Sequence, residues 1–84
     1  MDIPRITSVK ALENKNLRVR FVNGMEKIYH CAPLLRMDSF QMLQNDAFFK
    51  SIRVDLGGYG VSWNDDIDLS EYELWKNGVD VDAV

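Results

Sequence analysis

The chain has little of what most metal and thiol chemistry needs. Its 84 residues include one cysteine, Cys31, and one histidine, His30. A lone cysteine forms no intrachain disulfide, which fits a cytoplasmic protein in a reducing compartment. A zinc site needs about four Cys, His or carboxylate ligands, and this pair does not supply them. His30 and Cys31 are neighbours, so on a strand they point to opposite faces and make no nucleophile–base pair with each other. A serine triad would have to recruit His30, and there is no G-x-S-x-G elbow to carry the serine. No apolar run approaches the roughly 20 residues that cross a bilayer. The start, Met1-Asp-Ile-Pro-Arg-Ile-Thr7, lacks the basic start and apolar core of a signal peptide. There are no internal repeats, low-complexity segments or linkers.

What is present points to one small domain. A chain of 84 residues buries only about 60–65% of its unfolded surface. Stability of order 5 kcal/mol is the expectation unless a partner or a second copy covers apolar area. Apolar and charged contents are ordinary for a globular protein. Net charge is −3, but it is unevenly spread: residues 1–36 carry +4 and residues 37–84 carry −7. Such asymmetry suits a charged partner or a nucleic-acid face. The plainer reading is that the halves sit side by side and partly neutralise each other.

The clearest local signal is Asn23-Gly24, set between alternating runs from Leu17 to His30, which predicts a β-hairpin. A two-residue type I′ turn, with φ > 0 at both residues, is the preferred form. It sets Val19 opposite Ile28, Leu17 opposite His30 and Arg20 opposite Lys27. A three-residue loop with a bulge at Gly24 would instead pair Phe21 with Met25. Upstream, a first strand covers about Ile3 to Leu12. Ile6 and Val9 both face inward only if a bulge falls near Thr7-Ser8. Glu13-Asn-Lys-Asn16 is a polar turn.

Pro33 ends the third strand. Asp38, with Gln41 three residues on, reads as a capping box opening a helix over Ser39–Asn45 that aligns Phe40 and Leu43. Asp46 reads as the cap of a turn over Ala47–Ser51. Ile52–Asp55 is a short strand, Gly57–Gly60 a tight turn, and Val61-Ser-Trp63 the return. Ser70-x-x-Glu73 opens a last helix that Asn77-Gly78 stops. The expected fold is α+β: a three-stranded antiparallel meander packed on a short helical region, then a second short hairpin and a small C-terminal helix. Residues 1–78 form the domain. Residues 79–84, Val79-Asp-Val-Asp-Ala-Val84, alternate and form a frayed end or an edge strand.

The order Phe21-x-Asn23-Gly24, Ala32-Pro-Leu-Leu35, Phe49, Val61-x-Trp63, Asp66-x-Asp68-Leu69 and Leu74 resembles the bacterial domain-of-unknown-function family 2442, from about Ile6 to Trp75. The resemblance implies a small α+β domain. Some members carry an appended helix-turn-helix domain, for which a chain ending at Val84 has no room. Others are encoded beside small toxins, which implies an antitoxin-like or regulatory role. His30 stands where the family favours an acid, and Ser70 near where proline is common. The family has no established reaction to lend.

No catalytic, cofactor or metal residues stand out. Asp65, Asp66 and Asp68 could hold a hard cation, but a calcium loop from Asp66 lacks its glycine, where Glu71 sits, and its closing glutamate, where Asn77 sits. The structural reading is that Asp65 and Asp66 serve the turn, while Asp68 and Ser70 serve the last helix. Gly57-Gly-Tyr-Gly60 lies between strands and matches no phosphate loop. The aromatics Phe21, Phe40, Phe48, Phe49, Trp63 and Trp75 are assigned to the core. The favoured function is a non-enzymatic protein-interaction or regulatory module, antitoxin-like, without cofactor. The alternative is a nucleic-acid-binding accessory using a basic hairpin face of Arg18, Arg20 and Lys27 with Tyr29 for stacking. Weak, salt-sensitive dimerisation through sheet edges or charged faces is also expected.

Overall fold

The structure is a computed structural model that describes residues 3–81. Strand β1 (Ile6–Ala11), β2 (Asn16–Phe21) and β3 (Glu26–His30) form the expected antiparallel meander. A fourth strand, β7 (Val79–Asp80), joins it, giving the order β1-β2-β3-β7. The tail therefore covers an edge of its own domain, with Val79 opposite Ile28 and Asp80 opposite Lys27. Residues 82–84, the rest of that tail, lie outside the described residues.

The second hairpin is larger than expected. Strands β4 (Arg53–Val54) and β5 (Gly60–Ser62) pair, and β6 (Asp68–Ser70) makes the sheet three-stranded. The turn before β6 is closed by Asn64, not by Asp65 or Asp66. Its Oδ1 accepts the amides of Asp66 at 2.9 Å and Ile67 at 2.8 Å. An amide side chain two residues upstream forms this turn as well as a carboxylate does.

The bulge in β1 falls where the spacing of Ile6 and Val9 required it. Ile6 pairs with Phe21 and Ser8 with Arg20, so Thr7 is the extra residue. Ile6 is buried and Val9 packs against the core. The β2–β3 hairpin takes the three-residue loop, not the preferred one. The Gly24 amide donates to Phe21 O at 2.9 Å, and the Phe21 amide to Met25 O at 2.9 Å. Gly24 has φ +87° whereas Asn23 stays at negative φ, and Asn23 Oδ1 accepts the Met25 amide at 3.0 Å. This is a type I turn closed by a glycine bulge. The register becomes Leu17–Tyr29, Arg18–Ile28, Val19–Lys27 and Arg20–Glu26. The like-charge pair of Arg20 and Lys27 is thereby replaced by an opposite-charge pair.

The helical region is mostly 3-10. Turns over Ala32–Arg36 and Asp38–Gln44 precede α1 (Asp46–Lys50). Asp38 makes no cap: Met37 holds that position without a side-chain bond, and Gln41 is drawn to Leu35 O at 2.7 Å. α1 is capped one residue earlier than expected, by Asn45 Oδ1 accepting the Phe48 amide at 2.9 Å. Helix α2 (Glu71–Asn77) is capped by Ser70, which accepts the Glu73 amide at 3.1 Å.

The core lies between the main sheet, α2 and the second sheet. Leu17, Val19, Phe21, Leu43, Val61 and Leu74 are sealed from solvent, with Phe49, Trp63 and Leu69 nearly so. Trp63 stacks on Phe49 at 6.0 Å and its indole donates to Phe49 O at 2.9 Å. Trp75 meets Phe21 edge-on at 5.0 Å. Phe40, Phe48 and Trp75 are only partly covered, so three of the six aromatics assigned to the core rim it instead. Gly58 lets the second sheet close on β1, since a Cβ there would stand 2.5 Å from Ile6 O.

A Gly24→Val substitution meets no steric neighbour, so its cost is the backbone alone. A loss of about 1–3 kcal/mol is expected, read by chemical denaturation, with a smaller loss for Gly24→Asn, which tolerates φ > 0.

Candidate interaction surface

The register decides which side chains share a face. Alternation puts Leu17, Val19 and Phe21 inward with Lys27 and Tyr29, and puts Arg18 and Arg20 outward. The four residues proposed for a basic hairpin face are therefore split two and two. Tyr29 is buried and its hydroxyl donates to Glu73 Oε2 at 2.7 Å. Burial first, and the Glu73 carboxylate second, push its pKa far above the ordinary phenol value. Lys27 has a side chain only 12% exposed. Its ammonium donates to Trp75 O at 2.7 Å and lies 4.4 Å from the Trp75 ring centre. It also stands 3.2 Å from Asp80 Oδ1, an oxygen shut off from solvent that meets no donor in hydrogen-bond geometry. Lys27 is thus the charge that compensates Asp80.

Lys27, Tyr29, Glu73 and Asp80 together clamp α2 and β7 onto the sheet. Glu73 also accepts from Asn77 Nδ2 at 2.9 Å. That explains why only half of the Ser70 capping box forms: its glutamate is engaged elsewhere.

The outer face of the main sheet carries Ser8 and Lys10 from β1, Asn16, Arg18 and Arg20 from β2, Glu26, Ile28 and His30 from β3, and Val79 from β7. α2 packs from the other side, where Trp75 touches Phe21. The outer face is a cationic strip of Lys10, Arg18 and Arg20 beside an apolar pair, Ile28 and Val79. Arg18 Nε donates to Glu26 Oε1 at 2.7 Å and holds the Glu26 carboxyl below its ordinary range. His30 Nδ1 lies 2.7 Å from Asn16 Oδ1 directly across the strand pair. Lys10, Ile28 and Val79 were not singled out from the sequence. The pairing of Arg18 with both Lys10 and Ile28 would have shown two of them, had the register been known.

The charged halves partly neutralise each other. Of the four ion pairs among the described residues, Arg5–Glu71, Lys15–Asp46 and Lys27–Asp80 each join the basic first half to the acidic second half. The Lys15 ammonium holds the Asp46 carboxyl below the usual carboxylate range. Lys15 sits with Asn14 at positive φ, 59° and 61°, and its ammonium is anchored by Gln44 O and by Asp46 above the Phe49 ring.

Other candidate chemistry is dispersed. Asp65, Asp66 and Asp68 are exposed, and among the described residues no three His, Cys, Asp or Glu side chains converge on a point. Cys31 is sealed in the core on the side opposite His30. The clefts are open grooves; one of about 700 Å³ runs along Ala11 to Lys15 and is walled on the other side by Asp46, Phe49 and Lys50. Among the described residues no helix is long and apolar enough to cross a membrane.

Burial pushes the Cys31 thiol up to about 12 from an ordinary 9.0. Because the folded pKa is the higher one, the Cys31 contribution to stability is complete below pH 9 and drains away as pH rises toward 12. In the native protein at mildly alkaline pH, a thiol reagent such as DTNB is expected to react only at the rate of unfolding, and at once in denaturant. Rapid labelling of the native protein would show that Cys31 is not enclosed.

No curated protein and no solved structure matched the chain. A protein-family match, described as Protein of unknown function (DUF2442), spans residues 6–80, from the start of β1 to the end of β7. That span takes in both sheets, both α-helices and the outer face, and the chain belongs to the DUF2442 family.

Proposed function

We propose that the chain is a non-enzymatic, regulatory interaction module of antitoxin-like type that takes a protein partner on the outer face of its four-stranded sheet. The observation that carries this reading is the face itself: Lys10, Arg18 and Arg20, all exposed, line up on one sheet face beside Ile28 and Val79. Such a face suits a partner that brings carboxylates to the strip and an apolar side chain to the Ile28–Val79 pair. The groups with chemical potential are occupied in holding the fold. Tyr29, Lys27 and Glu73 clamp α2, and Asp55 accepts the Ser62 hydroxyl at 2.5 Å. An enclosed free thiol fits a cytoplasmic setting.

The nucleic-acid alternative loses its aromatic platform, because Tyr29 points inward. It keeps two of its three cations outward, Arg18 and Arg20, and the structure adds Lys10; Arg18 is already paired with Glu26. Phosphate binding scales with the number of phosphates neutralised, and three on an acidic chain is a small number.

Affinity capture from the native host with the wild type and with Arg18→Glu/Arg20→Glu tests the reading. Both side chains are exposed, so the variant is expected to stay folded, with a modest loss of stability because two glutamates then face Glu26, and to bind its partner about tenfold or more weakly. A captured set unchanged by charge reversal contradicts the proposed face. Salt-sensitive binding of a fluorescent oligonucleotide that the variant loses would assign the face to nucleic acid instead.

A further inference from the structure

Asparagine is a chemically labile residue, above all before glycine, which puts no side chain in the way of attack on the asparagine amide. The pair occurs twice in this chain, as Asn23-Gly24 and Asn77-Gly78. In both, the glycine amide is hydrogen-bonded: Gly24 donates to Phe21 O at 2.9 Å and Gly78 to Leu74 O at 3.0 Å. Each pair must open locally before it can react. The surroundings differ. Asn23 and Gly24 are exposed at the hairpin tip, and a Cβ on Gly24 would meet nothing within 4 Å. Asn23 Oδ1 accepts the Met25 amide at 3.0 Å. That bond folds the side-chain carbonyl against the backbone and polarises it, as a donor does where an oxyanion is to form.

Asn77 is the last residue of α2, and Gly78 joins that helix to β7. Gly78 is packed: a Cβ there would stand 2.5 Å from Leu74 O and 3.0 Å from Lys27 Cβ. Asn77 Nδ2, the group that would have to leave, donates to Glu73 Oε2 at 2.9 Å. Freeing this pair means undoing the helix end, its hold on Glu73 and the start of β7 together. A hairpin tip opens at far smaller cost.

We infer that Asn23 is a self-modification site of the folded protein, converted to aspartate and isoaspartate while Asn77 keeps its amide. The Gly24 amide nitrogen gives its proton to solvent base and bonds to Asn23 Cγ. The Cγ–Nδ2 bond breaks, and Nδ2 leaves with a proton from water as ammonia, closing a cyclic imide. Water then opens the imide. Addition at Cγ breaks its bond to the Gly24 nitrogen and gives aspartate. Addition at the main-chain carbonyl carbon of Asn23 breaks the original peptide bond and gives isoaspartate, with the chain routed through Cγ. Water is the only co-reactant. The isoaspartate route lengthens the loop by one backbone atom. The two bonds that set the glycine bulge, Gly24 to Phe21 and Met25 to Asn23, both run through this dipeptide. Conversion therefore acts on the register that turns Lys27 and Tyr29 inward. The new carboxylate also faces the groove lined by Arg18, Glu26 and Asp80, where Glu26 already holds Arg18.

Incubation of the full chain at mildly alkaline pH, folded and in denaturant, tests it, with peptide mapping by mass spectrometry that separates aspartate from isoaspartate. In the folded protein Asn23 is expected to lose its amide about tenfold or more faster than Asn77. In denaturant the two rates are expected to converge. The converted fraction, isolated by anion exchange, is expected to melt at a lower temperature than the unreacted chain. An Asn23 that keeps its amide as long as Asn77 does in the folded protein overturns the proposal. So does a preference for Asn23 that is equally large in denaturant, which would place the selectivity in the sequence and not in the fold. A converted fraction that melts like the unreacted chain contradicts the coupling to the hairpin register.

Discussion

The one-residue offset in the β2–β3 hairpin governs the rest of the molecule. With Gly24 as a bulge, the strand pairing runs Leu17–Tyr29 and Val19–Lys27, and two polar-tipped side chains enter the face that the helix covers. Their long apolar stems pack inward while their polar ends reach partners at the rim of the core. Tyr29 finds Glu73, and Lys27 finds Trp75 and Asp80. The other register would have sent Ile28 inward and left both anchors in solvent, taking from α2 the Tyr29–Glu73 and Lys27–Trp75 contacts and from β7 the Lys27–Asp80 pair. One glycine at positive φ thus connects a local turn to the docking of the C-terminal third.

The same offset determines what the protein shows to others. With Tyr29 and Lys27 drawn inside, the outer face keeps Arg18, Arg20 and Lys10 around a small apolar pair, and Glu26 comes opposite Arg20. Three acids of the second half, Glu71, Asp46 and Asp80, pair with cations of the basic first half. These pairs are partly exposed and individually weak. Three further cations, Lys10, Arg18 and Arg20, stand together on the outer sheet face, Arg18 sharing its charge with Glu26.

Much of the fold is legible in the sequence because its signals are local. The β1 bulge follows from Ile6 and Val9, the third strand ends at His30, shortly before Pro33, and Ser70 announces α2. The failures are also local, and each is a contest between near-equal options. Asn23-Gly24 serves a two-residue or a three-residue loop, and only cross-strand charge and packing choose between them. Asn45 and Asp46 are both good caps, and Asp46 is taken by Lys15. Strand β6 is three residues long, too short for periodicity to reveal, whereas the alternation of the tail did offer the edge strand that β7 forms. The candidate surface was half legible: Arg18 and Arg20 alternate with buried neighbours, but placing Lys27 and Tyr29 needed the register.

The register is directly measurable by NMR. Phe21–Met25 and Lys15–Cys31 are hydrogen-bonded partners, so Arg18–Ile28 and Arg20–Glu26 are the intervening pairs, whose α-carbons come closest, about 4.5 Å apart. Strong cross-strand NOEs between the α-protons of Arg18 and Ile28, and of Arg20 and Glu26, are predicted. NOEs linking Arg20 with Lys27, or Val19 with Ile28, would put Tyr29 on the outer face and contradict the account.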